Sequence, residues 1–86
     1  MDSYRIEWKR SAAKELRKLP RRTIPRVLRA VEQLSADPYS TGVKKLVNAE
    51  HTYRLHVGVY RVIYSVLQSE LTIEIIRVKH RKDAYR

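Results

Sequence analysis

Apolar and polar positions alternate near both ends of this chain and follow a helical rhythm in between. Tyr4, Ile6 and Trp8 are separated by Arg5 and Glu7, the period of two expected of a strand with one buried face. Trp8 shares that face with apolar partners, so it is read as core filling. Ala12, Ala13, Leu16 and Leu19 recur at the spacing of one helix face, with Ser11 available near the start and Pro20 as terminator. Ile24, Val27, Leu28, Val31 and Leu34 form the stripe of a second helix. Thr23 is placed to cap it, Pro25 sits in its first turn, and Asp37-Pro38 ends it, because the residue before a proline is pushed out of the helical region. The short link predicts that the two helices pack as an antiparallel hairpin.

Residues 38–43 read as a loop, followed by Lys44, Lys45 and Leu46. From Thr52 the period returns to two. Tyr53, Leu55 and Val57 alternate with Arg54 and His56, Gly58 marks a turn, and Tyr60, Val62, Tyr64 and Val66 continue the pattern on the far side. Residues 68–70 form another turn. Residues 71–78 make the last long strand, with Leu71, Ile73 and Ile75 on one face. Ile76 and Val78 break the alternation, which predicts a bulge there or cover on both faces. The order is β, α, α and then a β-meander. The expected architecture is a single α+β domain over residues 1–86, a two-layer sandwich with the helix hairpin on one face of a mostly antiparallel sheet.

At 86 residues the chain buries only about 60% of its unfolded surface, so a deep cavity for a large organic cofactor is not expected. It contains no cysteine, which removes disulfides, thiolate zinc sites and cysteine nucleophiles. No apolar run is long enough for a membrane span, and the N-terminus lacks the apolar region of a signal peptide. A cytoplasmic location is the expectation.

Charge adds the strongest functional signal. Nineteen Lys and Arg residues face nine Asp and Glu, a formal net charge of +10, which favours a nucleic-acid partner. Lys14, Arg17, Lys18, Arg21, Arg22, Arg26 and Arg29 fall on the outward faces of the two helices. With Lys44 and Lys45 they are read as a docking surface for RNA phosphates. Two glycines leave no glycine-rich phosphate loop, and His51, His56 and His80 lack the tight spacing of a metal site. No metal or cofactor is expected.

In the C-terminal half, Arg54 and His56 share one sheet face because side chains at i and i+2 do. Arg61 lies across the Gly58 turn, and Arg81 and Tyr85 follow the last strand. Arginine presents a planar fork that matches phosphate oxygens, and tyrosine can stack on a base. Such a set suits single-stranded RNA.

The stretch KKLVNAEHTYRLHVGVYRVIYSV resembles the central block of the RelE branch of the RelE/ParE toxin superfamily: a Lys-Leu pair, a spacer, Tyr-basic-x-basic, then a hairpin ending in Tyr-Arg-x-x-Tyr. The ending VKHRKDAYR resembles that branch's HRxxxY signature. The resemblance runs along the whole chain and implies a helix hairpin on a sheet whose first strand lies beside its last. It implies a toxin that enters the ribosomal A site and cuts mRNA through the RNA's own 2′-OH, without metal, and that is silenced by an acidic, RelB-like antitoxin. It makes Arg61 a phosphate-binding arginine, Arg81 the arginine serving leaving-group or transition-state charge, and Tyr85 the tyrosine that orients the nucleotide.

Arg54 and His56 stand where RelE itself has two lysines, a departure from the pattern. Arginine is not deprotonated in proteins, whereas an unperturbed histidine titrates near neutrality. The general-base role is therefore assigned to His56, with His80 as second candidate and His51 as an inert loop residue. Two alternatives stay open. ParE relatives share the fold but inhibit topoisomerases by binding, and a plain basic nucleic-acid-binding module would account for the charge but not for the HRxxxY ending.

Overall fold

The computed structural model describes residues 3–40, 42–47 and 49–83. Strand β1 (Arg5–Trp8) is followed by helices α1 (Arg10–Arg17) and α2 (Thr23–Leu34), then by strands β2 (Val43–Lys45), β3 (Thr52–Val57) and β4 (Tyr60–Leu67). A single 3-10 turn (Gln68–Glu70) leads into β5 (Thr72–His80). The five strands form one sheet in the order β1-β5-β4-β3-β2. All pairs are antiparallel except β1 with β5. The two helices carry the chain from β1 to β2 at the far edge, and the antiparallel meander from β2 to β5 returns to lay the last strand beside the first.

The core forms where the helices cover the sheet. Val27, Val31 and Leu34 of α2 and Ala12 and Leu16 of α1 close over Val62, Tyr64, Val66, Ile73, Ile75 and Val78. Trp8 and Ile6 pack against this cluster from the sheet edge. Tyr64 is fully buried, and its hydroxyl donates to the Pro38 carbonyl oxygen at 2.6 Å, so its one polar atom is satisfied. Among the described residues no helix is long and apolar enough to cross a membrane.

Both proposed helix caps fail. Lys9 is the residue flanking α1 and Arg22 that flanking α2, with no side-chain cap hydrogen bond at either. Ser11 lies inside α1. Thr23 is already the first helical residue of α2, and its N–H and that of Ile24 are taken by the Pro20 carbonyl, so a tight turn does the work of a cap. Helix α1 also stops at Arg17, before Leu19, through short hydrogen bonds from Lys18 to Glu15 and from Leu19 to Leu16. In α2, Leu28 is 37% exposed, on the rim of the apolar stripe and outside the core.

The sheet differs from expectation in two places and meets it in a third. Val43–Lys45 form an edge strand where a loop end was expected. Their own pattern is too short and too polar to signal a strand, and pairing with β3 creates it. Leu71 takes left-handed backbone angles (φ 48°) after the 3-10 turn and is exposed, so β5 begins only at Thr72. The bulge does occur. Ile63 pairs with Arg77 while Tyr64 pairs with Ile75, leaving Ile76 as the extra residue. That insertion lets Ile75 and Val78 face the core although they are three residues apart.

Candidate active site

The sheet face away from the helices is organised by cross-strand register. One transverse row runs Lys44, Arg54, Ile63 and Arg77 across β2 to β5. The next, nearer the Gly58 turn, runs His56, Arg61 and Lys79. On the opposite side of the first row lie Thr52, Ser65, Glu74 and Glu7. Strand rise spaces such rows by roughly 7 Å, and neighbouring strands lie about 4.8 Å apart. The face is therefore polarised: cations gather toward the β3–β4 hairpin, and the acids sit at the other end, where Glu7 is also paired with Arg5 at 3.1 Å.

His56 and Arg61 are direct cross-strand partners. The sequence placed them on the two arms of one hairpin, and the tight turn at Gly58 (φ 61°), which favours glycine, sets the register. The His56 pKa is lowered from its ordinary value. Loss of ring hydration against the sheet is the largest cause, followed by the charges of Arg61, Arg54 and Lys44. The neutral imidazole, the form able to accept a proton, is thereby favoured near neutral pH.

Arg81 is exposed just past β5, and its N–H donates to the Val59 carbonyl oxygen at 2.7 Å, which ties it to the hairpin end. Arg54, His56, Arg61 and Arg81 are thus gathered in one region. Tyr85 lies outside the described residues. His80 pairs with Tyr60, on the face opposite Arg61 and Lys79. Its ring meets Tyr60 edge-on at 5.5 Å, and its Nδ1 accepts the Lys82 N–H at 3.1 Å. The structure therefore separates His80 from His56 by the thickness of the sheet. His51 has left-handed backbone angles, and its carbonyl oxygen accepts the Val66 N–H, a turn role.

Glu15 was not singled out by the sequence. Where β1 ends, the free edge of β5 is met by α1 instead, and Glu15 Oε1 accepts the Val78 N–H at 2.9 Å. Its Oε2 lies 2.8 Å from Lys79 Nζ and 3.6 Å from Arg77. Burial alone would raise the Glu15 pKa, but the hydrogen bonds from Lys79 and Val78 and the charges of Lys79 and Arg77 outweigh it and hold the carboxyl below its ordinary value. Glu15 thereby neutralises the β5 end of both cationic rows, whose other basic residues are Lys44, Arg54, His56 and Arg61. Sixty-odd residues separate Glu15 from these partners, and nothing local in the chain marks the pairing.

Lys14, Arg17, Lys18, Arg21, Arg22, Arg26 and Arg29 are all exposed, as are Lys44 and Lys45. The helix cations lie on the side of the sheet away from the His56–Arg61 pair, except near the hairpin end, where α2 begins. Among the described residues no group of three His, Cys, Asp or Glu is arranged to hold a metal ion.

Toxin RelG of Mycobacterium tuberculosis is 33% identical to this chain, over 96% of the chain and 97% of that protein. The sequence profile described as the ParE toxin of the type II toxin–antitoxin system, parDE, matches residues 6–85. The chain belongs to the RelE/ParE toxin superfamily. Solved members of the superfamily share the fold. The archaeal RelE–RelB complex from Pyrococcus horikoshii superposes with a TM-score of 0.83 at 32% identity, over 95% of this chain and 99% of that one. The isolated Escherichia coli RelE toxin superposes with a TM-score of 0.81 at 21% identity, over 91% of this chain and 84% of that one, a likeness of fold alone. As a RelE/ParE toxin of a type II toxin–antitoxin system, the protein presents its family's sheet with His56 and Arg54 in the cationic rows.

Proposed function

We propose that this toxin is a cytoplasmic endoribonuclease (an mRNA interferase) that cleaves mRNA in the ribosomal A site and so inhibits translation. The observation that carries the reading is the His56–Arg61 pair, a histidine biased toward its neutral form beside phosphate-binding cations. His56 takes the proton of the 2′-OH, and the 2′-oxygen attacks the adjacent phosphorus. A 2′,3′-cyclic phosphate forms as the bond to the 5′-oxygen breaks. Arg61 holds the phosphate, Arg54 adds positive charge, and Arg81 stabilises the charge developing on the transition state or the leaving oxygen. Tyr85 orients the nucleotide. The attacking group is supplied by the RNA, so the scheme calls on no metal or cofactor.

The exposed cations of α1 and α2, with Lys44 and Lys45, supply docking to RNA on the ribosome, where each phosphate contact adds salt-dependent affinity. The partner that silences the toxin is an acidic antitoxin covering the groove of Arg54, Arg61 and Arg81. The complexes solved for RelE relatives with RelB support such a partner. Primer extension on a reporter mRNA in a cell-free translation system, run with and without ribosomes, tests the reading. Codon-registered cuts that require ribosomes support it.

A second reading follows from the match to the ParE profile. In it the same basic surface binds a topoisomerase or nucleic acid without cutting. Intact reporter mRNA together with inhibited supercoiling would select that reading.

A further inference from the structure

Where the hairpin end meets the start of α2, the helix side of the sheet carries a cleft of about 540 Å³. Arg22, just before α2, and Thr23 and Arg26 of α2 line it on one side, and Val57, Gly58 and Tyr60 of the hairpin on the other. The volume falls within the ~300–1,000 Å³ usual for small-molecule sites. Its lining contains no carboxylate, and among the described residues neither Arg22 nor Arg26 takes part in an ion pair. The guanidinium of Arg26 lies over the turn. A Cβ added at Gly58 would lie 3.5 Å from its Nη2, so the cation sits close to the hairpin backbone. Tyr60 contributes a ring whose edge-on contact with His80, at 5.5 Å, restrains its tilt. Two guanidiniums, hydroxyl groups and an aromatic ring beside apolar Val57 suit a nucleotide, with its anionic phosphate and flat base, better than a bare anion.

The cleft also stands next to the proposed chemistry. Val57 and Tyr60 form the last cross-strand pair of the hairpin, and His56 and Arg61 the pair before it, on the other face. An RNA strand leaving the His56–Arg61 pair and turning around the hairpin tip would enter the cleft at its Val57–Tyr60 side.

We propose that this cleft is a second RNA subsite, which takes a nucleotide flanking the cut, its phosphate between Arg22 and Arg26 and its base against Tyr60. The inference rests on the endoribonuclease reading and adds to it a bent path for the RNA around the hairpin.

The test is an amide NMR titration of the full chain with a trinucleotide whose central 2′-OH is replaced by hydrogen, so that it cannot be cut. A mononucleotide and inorganic phosphate serve as separate probes. The trinucleotide is expected to shift the amides of both His56–Arg61 and Thr23–Gly58 and to bind more tightly than the mononucleotide. Arg26→Gln is expected to reduce trinucleotide affinity by about tenfold, the loss of one charged hydrogen bond, and to abolish the shifts at Thr23 and Gly58. Trinucleotide shifts confined to the His56–Arg61 face would overturn the subsite and leave the endoribonuclease reading standing. Inorganic phosphate reproducing the full cleft response would mean an anion site only and would also overturn it. Trinucleotide shifts at neither region would overturn the subsite, while the ribosome-dependent cleavage assay decides the endoribonuclease reading separately.

Discussion

Replacing Glu15 probes how the helix layer is fastened to the sheet. Glu15→Ala removes the acceptor of the Val78 N–H, which belongs to a residue only 2% exposed. Leaving a buried donor unsatisfied costs about 1–3 kcal/mol. The pair with Lys79 adds to this, since both side chains are less than a third exposed, whereas the half-exposed Arg77 at 3.6 Å adds little. A loss of roughly 2 kcal/mol is expected, which lowers the melting temperature of a domain of this size by roughly 8–16 °C. Glu15→Gln keeps an oxygen for Val78 and gives up the charge, so its loss should be about half as large. The sign of the pH effect follows from the lowered pKa. The unfolded chain binds the proton more readily than the folded one, so the contribution of Glu15 is fully present above its ordinary value of 4.5. It disappears as pH falls through the lower folded value. Thermal melts followed by circular dichroism between pH 7 and pH 3 provide the assay, and the difference between wild type and Glu15→Gln isolates this carboxyl from the others. A Glu15→Ala protein that melts within ~2 °C of wild type at pH 7 would refute the reasoning, since even 1 kcal/mol should show as ~4–8 °C. A wild-type advantage over Glu15→Gln that stays constant to pH 3 would refute the assigned charge.

Three further outcomes are expected for the proposed activity. His56→Gln keeps hydrogen bonding but cannot take a proton, so single-turnover cleavage should fall by about 10²–10⁴-fold, and the acidic limb of the pH–rate profile, centred below the ordinary histidine value, should vanish; the same rate with the same limb would make His56 a strand residue only. Arg61→Ala and Arg81→Ala should each slow the cleavage step by about 100-fold or more, and Tyr85→Phe should be milder than Tyr85→Ala if the ring matters through stacking; full activity in Arg81→Ala would remove its assigned role. Changing Arg17, Lys18 and Arg29 together to Ala should weaken ribosome binding and flatten its dependence on salt by up to ~0.7–0.9 per lost contact in the log–log slope; an unchanged slope would mean that these residues only face solvent.

The face that carries the proposed chemistry was legible from local pattern. Alternation from Tyr53 to Val66, shifted in phase at the Gly58-Val59 turn and broken only by Ile63, is enough to put Arg54 and His56 on one face and Arg61 across the turn, because parity in a tight hairpin then turns Tyr53, Leu55, Val62 and Tyr64 toward the core. The helix stripes were readable for the same reason: burial demands periodicity, and periodicity is written in consecutive residues. Helix ends were less readable. Thr23 and Ser11 have the chemistry of caps, but the Pro20 carbonyl and the extended Lys9 set where the helices begin.

Features that depend on distant parts of the chain had no such signature. Three residues, Val43–Lys45, become a strand only because β3 offers an edge. The bulge at Ile76 is the partial exception: the broken alternation signals a bulge or cover on both faces, and the packing of both Ile75 and Val78 into one core decides between them. His80, next to Arg81 in sequence, is carried to the opposite face by its pairing with Tyr60. Glu15 finds Val78 and Lys79 because β1 is shorter than β5 and leaves an edge that α1 fills. Local periodicity sets which side of an element is apolar, since hydrophobic burial acts on every residue in turn. The meeting of elements far apart in the chain depends on which edges and cavities remain once they have packed, and that is a property of the assembled layers.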